Sequence, residues 1–230
     1  MSEQNFDLYR DIAKRTDGDV YIGVVGPVRT GKSTLISRMM EELVLSRMAA
    51  GPRRERLTDE LPQSGSGKTI MTTQPKFVPS EAVSVTLDDQ SAVRVRMVDS
   101  VGYLVEGALG TEEDGASRMV HTPWFDYDIP FEQAAEIGTR KVITDHATIG
   151  LVVTTDGSIA DLSREAYQQP EERVVRELKE IGKPFILILN SRHPEAEETL
   201  ALRQRLSERY GVPALSLNVK EMGLPEIQQV

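Results

Sequence analysis

The sequence contains no cysteine, so disulfide bonds, thiolate catalysis and cysteine-based metal sites are all excluded. It has no apolar run long enough for a membrane-spanning helix, and its N-terminus lacks the apolar core of a signal peptide. Positive charge is also scarce, because 27 lysines and arginines stand against 36 aspartates and glutamates. The net charge of −9 argues against a general nucleic-acid binder and gives no attraction to an anionic membrane. We therefore expect a cytoplasmic protein that does not bind nucleic acid.

Residues 26–33 read G-P-V-R-T-G-K-S and match the phosphate-loop pattern G-x-x-x-x-G-K-[ST] at every fixed position. A β-branched run over 20–25 predicts a buried strand before the loop, and apolar residues over 35–44 recur at helical spacing after it. Such a turn directs backbone N–H groups and the positive end of a helix at an anion. We predict that Lys32 contacts the β- and γ-phosphates of a nucleoside triphosphate and that Ser33 binds Mg²⁺. The residues predicted to contact the nucleotide from this loop are Gly26, Val28, Arg29, Thr30, Gly31, Lys32, Ser33 and Thr34.

The stretch over residues 52–73 has no apolar periodicity. A loop of this length in a compact domain is usually functional, and nucleotide switches place their γ-phosphate sensor at this position. We predict that Thr72 or Thr73 contributes its hydroxyl to Mg²⁺ and its carbonyl to the attacking water. The alternative is that these threonines lie in a turn or at a strand edge.

Alternating apolar and polar residues predict a β-hairpin over 82–87 and 92–98. Its second strand runs into Asp99, where a carboxylate that holds Mg²⁺ directly or through water is expected. The alternative for Asp99 is a cap on the next turn. Gly102 follows at D-x-x-G spacing and is predicted to turn its N–H toward the γ-phosphate. Tyr103 replaces the glutamine that many GTPases carry after this motif, which predicts slow turnover.

The rest of the chain alternates helix and strand patterns. Residues 103–131 hold five of the twelve aromatic side chains among acidic ones, and this irregular stretch is predicted to be an enlarged second switch region. The elements predicted after them are helices over 131–146, 171–181 and 195–210 and strands over 149–154, 184–190 and 212–217. This alternation predicts an α/β fold with a mostly parallel sheet, one antiparallel strand and helices on both faces. We expect a single P-loop NTPase domain of the translation-factor-like GTPase type over 1–230, with residues 1–18 as a lead-in.

The strand over 184–190 is followed by the segment Asn190-Ser191-Arg192-His193, at the position where translation-factor-like GTPases read N-K-x-D. Asn190 and Ser191 are predicted to contact the nucleotide. His193 replaces the aspartate whose carboxylate accepts hydrogen bonds from guanine, and an imidazole cannot supply two such acceptors. We therefore predict that ATP binds in preference to GTP. The alternatives are a GTP-binding regulatory or ribosome-assembly GTPase with a degenerate base-recognition motif, and a structural protein in which bound nucleotide only stabilises the fold.

Taken together, these motifs resemble the ATPase domain of the stage IV sporulation protein A family. The stretches that carry the resemblance are residues 26–34, 64–73, 98–103, 122–125, 130–131 and 189–191. By position, the resemblance implies that Lys32 is the Walker A lysine, Asp99 the Walker B aspartate and Thr72 or Thr73 the sensor threonine.

The resemblance also implies a function. It implies a spore coat morphogenetic protein that hydrolyses ATP with Mg²⁺ and polymerises into a scaffold on the mother-cell side of the forespore surface. The partners it implies are further copies of the chain and other spore coat or membrane-anchoring proteins. Family members extend beyond this region, through segments that serve polymerisation and membrane localisation, so membrane contact of this chain is expected to be indirect.

Overall fold

The computed structural model describes residues 19–62, 74–88, 91–108, 110, 112–113 and 115–230. The strands, numbered in chain order, are β1 (Asp19–Val25), β2 (Lys76–Asp88), β3 (Ser91–Asp99), β4 (Glu112–Glu113), β5 (Ala116–Ser117), β6 (Met119–Val120), β7 (Ile129–Pro130), β8 (Ile149–Thr155), β9 (Phe185–Asn190) and β10 (Ala214–Leu217). The helices are α1 (Lys32–Leu43), α2 (Pro52–Glu60), α3 (Phe131–Lys141), α4 (Arg164–Glu180), α5 (Glu197–Tyr210) and α6 (Leu224–Ile227), with a 3₁₀ turn at Leu45–Arg47 and a π turn at Val142–His146. Within these ranges, no helix combines the length and the apolar character that a bilayer crossing needs.

Six of the strands form one sheet in the order β10-β9-β8-β1-β3-β2. All neighbours are parallel except β2, which runs antiparallel to β3. The predicted mostly parallel sheet with one antiparallel strand is therefore confirmed. The chain leaves β1 for β3 on one side and later returns to β8 on the other side. Such a reversal of strand order opens a crevice at the carboxyl end of β1, where α/β sheets bind their ligands.

Helices cover both faces of this sheet, as predicted. On one face, Leu35 of α1, Leu57 of α2 and Ile227 of α6 belong to a buried apolar cluster that includes Met97 of β3. On the other face, α4 and α5 contribute to a second cluster, which contains Val98, Val152, Val174, Leu178, Leu206 and Tyr210. Met97 and Val98 are neighbours in the chain and enter opposite clusters, because successive side chains of a strand point to opposite faces. A strand that is buried on both faces therefore has a continuous apolar sequence.

The prediction of an irregular loop over 52–73 is wrong in its first part, because Pro52–Glu60 forms α2. This helix buries only Leu57 and is otherwise charged, so it carries no apolar periodicity. Its signal is Gly51 followed by a proline in the first helical turn, where the missing N–H costs nothing. The lead-in over residues 1–18 and the threonines Thr72 and Thr73 lie outside the described residues.

Other elements differ from prediction in their bounds. Strand β2 begins at Lys76, before the predicted start at residue 82, and a register shift between Val78 and Val83 interrupts its alternation. The helix predicted to begin at residue 171 begins at Arg164, because Pro170 lies inside the helix without ending it. The stretch 103–131, predicted to be irregular, contains two short hairpins, β4–β5 and β6–β7.

Candidate nucleotide-binding site

The phosphate loop joins β1 to α1 at the carboxyl edge of the sheet. Gly31 has a left-handed φ of 94° immediately before α1, and a Cβ at this position would lie 2.4 Å from Nδ2 of Asn190. Glycine is therefore required here for both conformation and space. Thr30 is completely buried, and its Oγ1 donates to the Pro27 carbonyl oxygen at 3.0 Å. The loop thus places the N-terminal end of α1 at the crevice, which is the arrangement that binds phosphate.

Lys32 is buried beneath the loop with 5% of its surface exposed. Its Nζ donates to the Pro27 carbonyl oxygen at 2.6 Å. Burial lowers the pKa of Lys32 from 10.5 to about 8, and the negative charge of Asp99 acts in the opposite direction. Among the described residues the ammonium group has this single acceptor. Its other N–H bonds are available to phosphate oxygens.

Ser33 and Asp99 meet across the site, as their predicted roles require. Ser33 Oγ donates to Asp99 Oδ2 at 2.6 Å. Asp99 is 2% exposed, and its Oδ1 is buried with no hydrogen-bond partner in the described part of the chain. Burial raises the pKa of Asp99, while the Ser33 hydroxyl and the positive charge of Lys32 act to lower it. An unsatisfied buried carboxylate oxygen usually indicates a ligand that is bound when the site works.

These two side chains fit Mg²⁺. Mg²⁺ prefers oxygen ligands and usually takes only one or two from the protein, with the rest from water and phosphate. The Asp99 carboxylate and the Ser33 hydroxyl are such a pair. Across the ranges that the structure describes, no group of three or more His, Cys, Asp or Glu side chains is arranged to hold a metal ion. The His121, Asp126 and Asp128 side chains accordingly form no such group.

Tyr103 attaches the segment after β3 to the phosphate loop. Its N–H donates to the Gly26 carbonyl oxygen at 3.3 Å, and its carbonyl accepts from the Val28 N–H at 2.9 Å. Its side chain is 2% exposed, and its hydroxyl donates to Glu177 of α4 at 2.5 Å. The residue at the glutamine position is therefore anchored on α4 and does not orient water at a nucleotide.

Gly102 lies beside the phosphate loop with a φ of 99°. A Cβ at this position would lie 2.5 Å from Lys32 Nζ, so the backbone approaches the ammonium group closely. The Gly102 N–H donates to Oγ1 of the buried Thr139 at 2.9 Å. The predicted bond from this N–H to the γ-phosphate therefore requires Gly102 to leave Thr139.

Asn190 lies at the carboxyl end of β9, and protein groups occupy both ends of its amide. Its Nδ2 donates to the Thr30 carbonyl oxygen at 3.0 Å, and its Oδ1 accepts from the Val219 N–H at 3.1 Å. The amide therefore braces the phosphate loop from behind. The structure shows how Asn190 serves the site, and direct contact with the nucleotide remains a prediction.

Ser191 belongs to a cluster around Asp156, a residue that the sequence prediction missed. Asp156 follows β8 and accepts from Ser191 Oγ at 2.5 Å, Ser158 Oγ at 2.6 Å and the Ser158 N–H at 2.9 Å. Burial acts to raise the pKa of Asp156, but bonds from Ser158, Ser191 and Thr199 outweigh it and hold the pKa below its usual value. The signal in the sequence is a polar T-T-D-G-S run directly after a buried strand. His193 is exposed, and its N–H donates to Ser191 Oγ at 2.9 Å.

The remaining predicted loop residues lie at the same edge. Val28 is buried in an apolar cluster with Val101 and Tyr167. Arg29 is half-buried with a φ of 62°, and Thr34 is half-buried in the first turn of α1. The structure thus brings together every predicted loop residue with Asp99 and Gly102.

Fold and site together define a phosphate-loop nucleotide-binding domain with a mostly parallel sheet. The chain belongs to the stage IV sporulation protein A family, because the family model of the ATPase domain matches residues 3–230. This confirms the resemblance found in the sequence.

Three relatives support this family membership. The chain is 56% identical over 226 residues to stage IV sporulation protein A of Clostridioides difficile (strain 630), covering 98% of this chain. It is 54% identical over 227 residues to the Bacillus subtilis (strain 168) protein and 52% identical to that of Bacillus anthracis, covering 99% of this chain in both cases. In each comparison the chain spans 46% of the length of the relative.

The structure also aligns with a GTP-binding protein from the hyperthermophilic archaeon Sulfolobus solfataricus in complex with GDP. The TM-score is 0.48 and the sequence identity 13%, over 97% of this chain and 54% of that chain. This similarity is too low to indicate a function. The strand order and the phosphate loop define the fold.

Proposed function

We propose that this domain binds ATP with Mg²⁺ and hydrolyses the β–γ bond, and that hydrolysis drives self-assembly of a spore coat basement scaffold. The observation that carries the proposal is the 2.6 Å contact of Ser33 with Asp99 beside the buried Lys32. These three groups are the hydroxyl, carboxylate and ammonium that phosphate-loop enzymes use for phosphoryl transfer. Membership of an ATPase-domain family supports the same reaction.

In this proposal each residue has a defined task. Lys32 donates to β- and γ-phosphate oxygens and offsets the charge that develops as the bond breaks. Ser33 and Asp99 hold Mg²⁺, which when bound neutralises phosphate charge. The Gly102 N–H exchanges the Thr139 hydroxyl for a γ-phosphate oxygen. Thr72 or Thr73, in the part of the chain that is not described, places the attacking water.

The expected turnover is slow. Tyr103 stands at the glutamine position, and its hydroxyl is bonded to Glu177 on α4. Tyr103 therefore offers no side-chain group that would position the attacking water. A slow single hydrolysis event suits a one-way assembly step better than a rapid cycle.

The preferred base is adenine. A guanine in a closed pocket would leave two donors without the carboxylate that His193 replaces, at a cost of roughly 1–3 kcal/mol each. The discrimination would be on the order of a hundredfold in affinity. Adenine has neither donor and loses nothing by the replacement. The exposed position of His193 supports a base that is partly open to solvent, which weakens discrimination without reversing it.

Self-assembly, partners and location are proposed on family membership alone. The relatives named stage IV sporulation protein A are longer than this chain, which spans 46% of their length. We infer that the partners are further copies of the chain and other spore coat or membrane-anchoring proteins. The assembly lies on the mother-cell side of the forespore surface, with membrane contact made by other regions or proteins.

The first experiment measures phosphate release from ATP, with and without Mg²⁺, for the wild type and Ser33→Ala. The wild type should hydrolyse ATP only with Mg²⁺, and the variant should lose most of this activity. Ser46→Ala is the matched control, because Ser46 is exposed and its hydroxyl bonds only the Glu42 carbonyl oxygen among the described residues. Full Mg²⁺-dependent activity in Ser33→Ala would contradict the proposed site. Binding without any cleavage in the wild type would favour a structural role.

A second experiment compares the equilibrium binding of ATP and GTP, with Mg²⁺, to the wild type and to His193→Asp. ATP should bind more tightly to the wild type, and the substitution should raise affinity for GTP. Tighter binding of GTP to the wild type would instead favour a regulatory GTPase with a degenerate base-recognition motif.

Sedimentation of the chain after incubation with ATP, compared with a non-hydrolysable analogue, tests self-assembly.

A further inference from the structure

Arg29 holds an unusual backbone conformation in the middle of the phosphate loop. Its φ of 62° makes it the one non-glycine residue with a positive φ in the described part of the chain. This left-handed conformation is unfavourable for a residue with a Cβ and costs glycine nothing. Backbone strain of this kind is typical of functional sites, where the side chain is needed at that position.

The Arg29 side chain is half-buried and has no acceptor within the described ranges. Its guanidinium forms no hydrogen bond or ion pair with any residue that the structure describes. Arginine has five N–H donors in a planar fork that matches the oxygens of a phosphate. A half-buried arginine without a partner on a phosphate loop is therefore suited to an anion that arrives with the nucleotide.

Helix α4 borders this part of the loop, because its Tyr167 belongs to the same buried apolar cluster as Val28, the neighbour of Arg29. Tyr167 of α4 is completely buried, and its hydroxyl has no hydrogen-bond partner among the described residues. Burial raises the pKa of the Tyr167 hydroxyl, the positive charge of Arg29 acts against this, and Asp161 adds to it. Asp161 is exposed and forms no ion pair with Arg29.

Within the phosphate loop, Arg29 is the second positive charge beside Lys32. Lys32 and Arg29 are the only basic residues of the loop over 26–33. Tyr103 is anchored on Glu177 and supplies no group to the reaction. In phosphoryl transfer, an arginine supplied in cis or in trans offsets the charge that develops on the phosphate oxygens.

We propose that Arg29 is an arginine finger carried in cis by the phosphate loop itself. This inference rests on the proposed ATP hydrolysis. The guanidinium donates to a γ-phosphate oxygen and to the oxygen that bridges the β- and γ-phosphorus atoms. Water oxygen bonds the γ-phosphorus, the bond to the bridging oxygen breaks, and the products are ADP and inorganic phosphate. The protons of water pass to phosphate and solvent, and Arg29 keeps its own throughout.

The test compares single-turnover hydrolysis of Mg²⁺-ATP by the wild type, Arg29→Gly and Arg29→Lys. Glycine suits the φ of 62°, so Arg29→Gly should fold with an unchanged or higher thermal midpoint. We expect its cleavage rate to fall about 10³-fold or more. Affinity for a non-hydrolysable ATP analogue should change less than about tenfold. Arg29→Lys should recover little of the rate, because lysine has no fork. Arg47→Ala removes an exposed arginine and should keep the wild-type rate.

Two further readouts separate a finger from a simple binding residue. The complex with ADP and aluminium fluoride mimics the transferring phosphoryl group, and Arg29→Gly should fail to form it. Added guanidinium ion should restore part of the rate of Arg29→Gly. A cleavage rate of Arg29→Gly within about threefold of the wild-type rate would contradict the arginine-finger role. An equal loss of affinity for the ATP analogue and of cleavage rate would also contradict it. A wild type that releases no phosphate would instead overturn the proposed function and the inference with it.

Discussion

Replacing Lys32 with methionine should stabilise the nucleotide-free domain while abolishing ATP binding. Lys32 is 5% exposed, and burial lowers its pKa from 10.5 to about 8. Keeping this group charged at pH 7 therefore costs about 3 kcal/mol of folding stability. Methionine fills a similar volume without a charge and adapts to the space.

Two losses reduce this gain. The hydrogen bond from Lys32 Nζ to the Pro27 carbonyl oxygen disappears, which costs about 1 kcal/mol. Asp99 also loses a positive neighbour, so its pKa rises further and the carboxyl group becomes easier to protonate. A net gain of about 1–2 kcal/mol is expected, which raises Tm by about 3–8 °C for a domain of this size.

The gain should depend on pH in a defined direction. The folded-state pKa of about 8 lies below the ordinary lysine value of 10.5, so the unfolded chain binds more protons between these values. Wild-type stability therefore rises with pH across this window. The advantage of Lys32→Met is complete below pH 8 and disappears as pH approaches 10.5.

The assay is thermal unfolding of the nucleotide-free wild type and Lys32→Met at neutral pH and at several values up to pH 10. Lys179→Met, which removes an exposed lysine of α4, is the matched control and should change stability little at any pH. ATP binding is measured in parallel. A variant less stable than the wild type at pH 7, or a gain that does not change with pH, would refute this reasoning.

Three other substitutions test the site and its support. Asp99→Asn should remove the Mg²⁺ dependence of ATP binding without loss of nucleotide-free stability, because burial already raises the pKa of this carboxyl group. ATP titrations with and without Mg²⁺ test this prediction, and an unchanged Mg²⁺ dependence would contradict it. Gly102→Ala should lower the free energy of unfolding, measured in urea, by about 2–3 kcal/mol, because φ is 99° and the new Cβ would lie 2.5 Å from Lys32 Nζ. An unchanged free energy would contradict this argument and would show that the segment adjusts freely. Glu171→Ala should lower the free energy of unfolding by about 3–5 kcal/mol, because it leaves the mostly buried Arg164 guanidinium, 2.7 Å from Glu171, without its carboxylate partner. Glu171→Gln should lower it less, and equal losses in the two variants would refute the charge argument.

Local spacing in the sequence predicted much of the fold and part of the site. The phosphate loop is a contiguous pattern, and the strand before it and the helix after it have clear apolar periodicity. The alternation of apolar and polar residues predicted strand β3 and its end at Asp99. The antiparallel edge strand followed from its hairpin connection to β3. These features depend on residues that are close in the chain.

Local patterns in the sequence did not predict helix α2 or the first residue of α4. Residues Pro52–Glu60 bury a single leucine, so no apolar period marks them as a helix. Pro170 normally predicts a break, but the buried Tyr167 and Glu171 hold the turns on either side of it against the core. In α4, tertiary packing outweighs the local signal of the proline.

The sequence by itself determined that this chain carries a nucleotide-binding loop, because that loop is built from eight consecutive residues, 26–33. Only the tertiary structure decided which distant groups serve it. Ser33 and Asp99 are 66 residues apart, and Asn190 reaches the Thr30 carbonyl across 160 residues. The Asp156 cluster and the Tyr167 hydroxyl, which has no partner in the described part of the chain, are likewise products of packing between elements. Strand order and helix packing set these contacts, and no periodicity along the chain records them.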